Sequence, residues 1–239
     1  MCRLFGYKTK NSKKTNNLLI KSLMDFRDLS KYGCVPCGIK KGHNDGWGII
    51  LYKNKVPCLY YRSTMSIMND NNFDNIIDLI KNIKPDIVVS HLRKMSKGKK
   101  TIENTQPFIS NNFSLAHNGT ILYPDLNKND NKSDSLKFFN NVISQKDIIS
   151  QSYFKDIYTF TYLNNNFTSM NMVFSDGSNL FAIKNINSKH VELDKLGFNK
   201  YYTLSSFKNE DCLFICSEKI SAFDKMKAES LKNIKIYKY

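Results

Sequence analysis

Cys2 is the residue of this sequence best placed to do chemistry. Methionine aminopeptidase removes an initiator Met that precedes a small residue, and Cys is small, so the mature chain is expected to begin at Cys2. Its α-amine and its thiol would then sit on one residue. A free α-amine titrates at about 7.7–8.0 and a Cys thiol at about 8.5, close enough to exchange a proton near neutrality. A terminal amine is also an established activator of a nucleophile. The plainer alternative is that Cys2 is a small apolar residue opening a strand.

Four further segments are more polar and more punctuated by glycine than their surroundings. They are His43-Asn44-Asp45-Gly46-Trp47-Gly48, His91-Leu92-Arg93-Lys94, Asn104-Thr105-Gln106-Pro107-Phe108 and Ala116-His117-Asn118-Gly119. Each is expected at a strand end or in the loop that follows, where sites are usually built. Asn118-Gly119 could supply a side-chain amide and a close-lying backbone N–H, or could be an ordinary hairpin turn. Arg93 could grip a carboxylate through its planar fork, or make a surface ion pair. Asp134, with Ser133, could open a helix as a cap. Cys34-Val35-Pro36-Cys37 is a lone CxxC with no second pair at zinc-ligand spacing, so no metal site is expected.

Elements of both kinds must position these residues. Apolar spacing predicts helices over residues 15–30, with Thr15 as N-cap, and over 72–82, 134–149 and 152–163. Strands are predicted at 47–52 and 58–61 around Lys53-Asn54-Lys55, at 87–89 and at 113–117. Further strands are predicted at 167–175 and 179–184 around Asp176-Gly177-Ser178, then at 201–205 and 212–216. Strands and helices come in runs, which favours α+β over a doubly wound parallel sheet. With no repeat and no linker, residues 2–239 are expected to form a single domain.

The chain has 239 residues, 41% hydrophobic and 13% aromatic, enough for a sizeable core. It shows no membrane span and no signal peptide, so a cytoplasmic location is expected. The net charge of +15 invites a nucleic-acid reading. Its make-up argues against one: of 36 Lys and Arg only Arg3, Arg27, Arg62 and Arg93 are arginine, the residue that phosphate and base readers favour. The lysines are spread among many Asn and Ile along the whole chain. Lys94, Lys97, Lys99 and Lys100 are expected on a solvated loop.

Taken with Cys2, the ordered motifs resemble the class II glutamine amidotransferase domain, an N-terminal-nucleophile hydrolase. The similarity is strongest to stand-alone members that begin Cys-Arg-Leu-Phe-Gly. Cys2-Arg3-Leu4-Phe5-Gly6, Asp45-Gly46-Trp47-Gly48, His91-Leu92-Arg93, Glu103 to Phe108, His117-Asn118-Gly119, Ser133-Asp134-Ser135, Ser175-Asp176-Gly177 and Cys216-Ser217-Glu218 occur in the family's order. The resemblance implies a four-layer αββα sandwich of two stacked antiparallel sheets with helices outside.

It also implies roles. Cys2 would attack the γ-carbonyl of glutamine or another γ-glutamyl amide. Asn118 and Gly119 would hold the oxyanion, and losing one such donor typically costs about 10²–10³ in rate. Arg93 would bind the substrate α-carboxylate, Asp134 its α-ammonium, and Ser96 would supply a hydroxyl. Asp45, Gly46, Trp47, Asn104 and Thr105 would shape the pocket, with Trp47 in its wall. His91 and His117 would be hydrogen-bonded structural histidines, because the Cys α-amine is the family's base. No cofactor or metal is implied.

The sequence departs from the family at Gln106, usually His, and at Leu136, often Glu. Lys94-Met95-Ser96 replaces the common Lys-Ala-Thr. The expected function is hydrolysis of glutamine or a γ-glutamyl compound through a thioester, releasing glutamate and ammonia or an amine. The alternatives are a glutaminase subunit that feeds ammonia to a separate synthase, and a non-catalytic basic binding module.

Overall fold

The computed structural model describes residues 2–122, 131–143, 166–187, 189, 198–232 and 235–239. Strand β1 (Arg3–Thr9) runs into helix α1 (Ser12–Tyr32). The hairpin β2 (Trp47–Lys53) and β3 (Val56–Ser63) follows, then α2 (Asn72–Ile83) and β4 (Ile87–Leu92). Strands β5 (Phe108–Ser110) and β6 (Phe113–Asn118) precede α3 (Asp134–Phe138), which continues as a π-helical turn over Phe139–Ile143. Next come β7 (Asn171–Ser175), β8 (Leu180–Lys184), the short α4 (Phe198–Tyr201), β9 (Ser205–Lys208) and β10 (Cys212–Cys216). β11 (Lys227–Ser230) and β12 (Lys235–Lys238) close the chain.

Two antiparallel sheets result. The first has the order β11-β9-β10-β1-β4-β2-β3 and the second β12-β8-β7-β6-β5. Period-two alternation decides what each face meets. In β1, Leu4 joins Ile50, Val89 and Ile215 in a core shared with Ala116, Val173 and Leu180 of the second sheet. Phe5 and Tyr7 point the other way, into a core with Leu19, Leu23 and Phe26 of α1 and Ile76 and Ile80 of α2. Phe113, Leu115 and Phe174 on the outer face of the second sheet pack with Phe138 and Phe139. Burying each such side chain contributes about 1.5–3 kcal/mol. The layers are helix, sheet, sheet, helix, the α+β sandwich expected from the sequence. No helix among the described residues is long and apolar enough to cross a membrane.

Several local expectations shift. Helix α1 starts three residues before Thr15. Its cap is Asn11, whose side chain accepts from the Lys14 N–H at 3.2 Å, while Thr15 Oγ1 donates to the Asn11 carbonyl. The late strand lies at Ser205–Lys208, because Tyr201 closes α4 instead of opening a strand. Asn118-Gly119 forms no hairpin: β6 pairs with β5 and with β7, far along the chain. The helix predicted at 134–149 is seen as far as Ile143; its remainder and the whole of 152–163 lie outside the described residues.

Candidate active site

Cys2 stands immediately before β1, beside the end of β4. The ladder pairs Arg3 with Leu92 and Leu4 with His91. Its alternation places Cys2, Leu4, His91 and Arg93 on the face turned towards the second sheet. From that sheet Asn118, the last residue of β6, reaches across. The Cys2 N–H donates to Asn118 Oδ1 at 2.8 Å. Tyr201 on α4 donates its hydroxyl to the same oxygen at 3.1 Å. With its oxygen engaged twice, Asn118 presents Nδ2, which is buried and has no partner among the described residues.

Gly119 follows. A Cβ here would run into the Ser169 carbonyl and stand 2.9 Å from His117 Nε2, so only glycine fits. His117 is held at both ring nitrogens, by Ser135 Oγ at 2.8 Å and the Ser169 carbonyl at 3.0 Å. Burial pushes its pKa down, which favours the neutral ring. It is the hydrogen-bonded structural histidine expected. His91 is not: it is fully buried, and neither ring nitrogen finds a hydrogen-bond partner among the described nitrogen and oxygen atoms.

Burial alone would push the Cys2 thiol up. The ammonium charge of Met1, His91 and the Lys94 backbone outweigh it and bring the thiol down to about 5. Cys2 Sγ lies 3.7 Å from the Lys94 carbonyl. That loop is pinned in turn: Asp45 Oδ2 accepts from the Met95 N–H at 2.8 Å, and Lys94 Nζ donates to the Lys40 and Gly42 carbonyls. Lys94 is therefore fastened down rather than solvated. Asp45 and Gly46 extend the β2–β4 ladder, with Asp45 N–H to Arg93 O at 3.0 Å and Arg93 N–H to Gly46 O at 2.8 Å. Gly46 has φ +137°, and a Cβ would meet the Ser63 carbonyl at 2.7 Å.

A small cleft of about 20 Å³ opens beside the thiol, lined by Cys2, Arg93, Ser96, Gln106, Gly119 and Asp134 among others. Arg93 is buried. Its Nη2 donates to the Lys99 carbonyl at 3.0 Å, and Nη1 has no partner among the described residues. Burial lowers its pKa, opposed by the negative charge of Cys2, Asp45 and Asp134. Asp134 is buried at the start of α3, where Ser133 caps the helix through the Leu136 N–H. Asp134 Oδ2 accepts from the Ile121 N–H at 2.6 Å.

Asn104 ties these parts together. It donates to the Lys99 and Asn131 carbonyls and accepts from the Ser133 N–H at 2.6 Å. Thr105 stays behind the cleft, bonded to the Thr101 carbonyl at 2.9 Å. Gln106 uses Oε1 to accept the His117 N–H at 2.5 Å, so this departure from the family still fixes β6. Leu136 packs at the edge of the outer core of the second sheet.

Trp47 is not in the pocket wall. As an outward residue of β2 it is buried against Tyr61 and Phe73, and its indole N–H donates to Asp70 Oδ2 at 3.0 Å. Tyr201 was not foreseen, since nothing in its sequence neighbourhood marks it. Arg3 is also deeply engaged. It bonds the Cys34 and Tyr201 carbonyls, lies 4.5 Å over the Tyr201 ring and pairs with Glu218 at 2.7 Å. Among the described residues no group of three or more His, Cys, Asp or Glu could hold a metal ion.

Two facing antiparallel sheets with a cysteine at the head of the first strand define the fold of the N-terminal-nucleophile amidotransferases. Solved structures share it. Glutamine phosphoribosylpyrophosphate amidotransferase from B. subtilis superposes with a TM-score of 0.64 at 13% identity, over 99% of this chain and 47% of its own. A glutamine aminotransferase class-II domain protein from Silicibacter pomeroyi gives 0.56 at 14% identity, over 99% and 94%. The sequence profile of the Glutamine amidotransferases class-II matches residues 1–226, and the chain belongs to that family. An uncharacterised protein of Methanocaldococcus jannaschii is 29% identical over 224 residues, 88% of this chain and 58% of that protein. The chain thus spans a little over half of that relative and about half of the Bacillus enzyme.

Proposed function

We propose that the protein hydrolyses the γ-amide of glutamine or of a γ-glutamyl compound. The observation that carries this reading is the pairing of Cys2 with Asn118. It leaves an unpartnered amide donor, Asn118 Nδ2, beside the nucleophile and next to Gly119. Removal of Met1 would turn the Cys2 N–H into an α-amine still held by Asn118 Oδ1. Thiol and amine share one proton, and the thiolate attacks the γ-carbonyl. The oxyanion forms against Asn118 Nδ2 and the Gly119 N–H, donors already in place before charge develops. Arg93, with Nη1 unpartnered among the described residues, takes the substrate α-carboxylate. Asp134, whose negative charge acts on Arg93, takes the α-ammonium at the other side of the cleft. Ammonia or an amine leaves, and water cleaves the γ-glutamyl thioester to glutamate. The chain would act as one domain over residues 2–239.

A second reading follows from membership of the class II glutamine amidotransferases, in which ammonia passes to a separate synthase. The test is glutamate release by the purified protein from glutamine and from γ-glutamyl peptides, after intact-mass analysis has shown whether Met1 is removed. Release without a partner supports the hydrolase. Release from glutamine only when an acceptor synthase is added supports the subunit. No glutamate from any of these substrates by Met1-free protein, partner present or absent, defeats both.

A further inference from the structure

Asn118 can turn either end of its amide towards the cleft, and only the nitrogen end carries donors. The groups around the other end fix the choice. Two donors converge on Oδ1, the Cys2 N–H at 2.8 Å and the Tyr201 hydroxyl at 3.1 Å. Turned over, the amide would set Nδ2 against both. The phenol would then have to send its proton to the Cys2 carbonyl, 3.5 Å away and beyond ordinary hydrogen-bond length.

The two donors are not equal through a reaction. In the proposed mechanism the Cys2 α-amine takes the thiol proton and hands it to the departing nitrogen. As an ammonium it only donates. As a neutral amine it has a lone pair that can accept from Nδ2, and it no longer dictates which way Asn118 faces. Tyr201 keeps its proton throughout. It is fully buried, and burial pushes its phenol well above the ordinary range.

The ring is held from both sheets. Arg3 of the first sheet donates through Nη1 to the Tyr201 carbonyl at 3.1 Å and lies 4.5 Å over the ring, paired with Glu218 at 2.7 Å. Tyr202 meets the ring edge-on at 4.9 Å, and the Tyr202 carbonyl accepts from Asn171 Nδ2 at 2.9 Å. Asn171 is the partner of Asn118 in the β6–β7 ladder. The phenol is thus set on the same frame as the amide it faces.

We infer that Tyr201 is a positioning residue whose hydroxyl keeps Asn118 Nδ2 turned to the cleft while the Cys2 amine gains and loses its proton. The inference rests on the proposed hydrolysis. Tyr201 does not line the cleft, so it acts through Asn118.

The experiment is initial-rate kinetics of Met1-free protein on glutamine and on γ-glutamyl-p-nitroanilide. Tyr201→Phe removes one oxygen and keeps the ring under Arg3. It is expected to lower kcat about tenfold and to change KM less than about twofold. In an Asn118→Ala background the same change is expected to cost less than about twofold, because the hydroxyl has nothing left to hold. Full kcat in folded Tyr201→Phe, or a loss repeated in full on top of Asn118→Ala, overturns the inference. A second measurement needs neither turnover nor a Tyr201 variant. The Tyr201 hydroxyl proton is followed by NMR in the unaltered protein and in Asn118→Ala. It is expected downfield and slow to exchange, and to move upfield in the variant. An absent signal, or one that stays in place, overturns the inference. If the unaltered protein cleaves no γ-glutamyl compound, the proposed hydrolysis fails, and the NMR result alone decides whether Tyr201 sets Asn118. An active enzyme with an unimpaired Tyr201→Phe variant refutes Tyr201 alone.

Discussion

The Cys2 backbone nitrogen donates to Asn118 Oδ1 at 2.8 Å across the junction of the two sheets, between residues 116 positions apart. One amide thus has two ends: its oxygen anchors Cys2, and its nitrogen has no partner among the described residues. Two variants separate them. Asn118→Ala removes both and is expected to lower kcat by about 10²–10³. Asn118→Asp keeps an acceptor for Cys2 but replaces the donor with a negative charge. It is expected to lose as much activity and to raise the pH midpoint of Cys2 alkylation. Steady-state kinetics and alkylation profiles check this. An active Asn118→Asp enzyme would rule out the side-chain donor.

Acid should silence the enzyme only well below neutrality. With the Met1 ammonium in place the Cys2 thiol sits at about 5, because that charge and His91 outweigh burial; in Met1-free protein the α-ammonium of Cys2 itself supplies the positive charge. The thiolate is present above that value and lost as pH falls through it. The acid limb of kcat/KM is expected near pH 5, falling about tenfold per further unit. A limb near 8 would show that the sulfur is neutral at rest.

Arg93→Lys keeps the charge and loses the fork. Because Nη2 is committed to the Lys99 carbonyl and Nη1, unpartnered among the described residues, is the arm proposed for substrate, a single ammonium cannot serve both. KM for glutamine is expected to rise about tenfold or more, a loss of one charge-assisted hydrogen bond, with a smaller change in kcat. Initial-rate measurements over glutamine concentration decide it.

Gly119→Ala forces the added methyl against the Ser169 carbonyl, which is held in place by its bond to His117. Backbone must move to make room. Thermal unfolding is expected to show a loss of about 1–3 kcal/mol, typical of overpacking, and activity should fall further than stability as the oxyanion donor shifts.

Asp70 tests the outer core. Burial opposes its charge, but bonds from Ser63, Tyr61, the Asn72 N–H and the Trp47 indole hold its pKa below the ordinary carboxylate range. Asp70→Ala leaves the buried Trp47 N–H without a partner and is expected to cost about 1–3 kcal/mol in denaturant unfolding. For a depressed carboxylate the stabilisation is complete above the unfolded pKa of about 3.9 and disappears as pH falls through the folded value. The cost of the variant should therefore shrink in strong acid. Catalytic rates should change little, since Asp70 sits on the face turned away from the cleft.

Much of the site is written locally. Cys2, Arg93, Asn118-Gly119 and Asp134 stand out in the sequence by type and order, and the structure gathers all of them around one cleft except for Asn118, which accepts the Cys2 N–H. Trp47 shows the limit of such reading. It adjoins Gly46 in a motif, but strand alternation turns it to the far face, where Asp70 and Phe73 await it. Tyr201 has no motif at all and earns its place only through the fold of α4.

Runs of strand and helix patterning determined the mixed α+β class, and the ordered motifs, through their resemblance to the family, supplied the layered sandwich and Cys2 as the candidate nucleophile, because motifs and patterning depend on residue type and near-neighbour spacing. The difference between His91 and His117 was decided by tertiary structure alone. Both are buried histidines at strand ends in the sequence. One strand brings His117 between Ser135 and Ser169, and the other sets His91 beside Leu4 and Gly48, where neither ring nitrogen has a partner among the described residues. Hydrogen-bond partners supplied from distant parts of the chain leave no trace in local sequence, so only the folded arrangement could tell the bonded ring from the unbonded one.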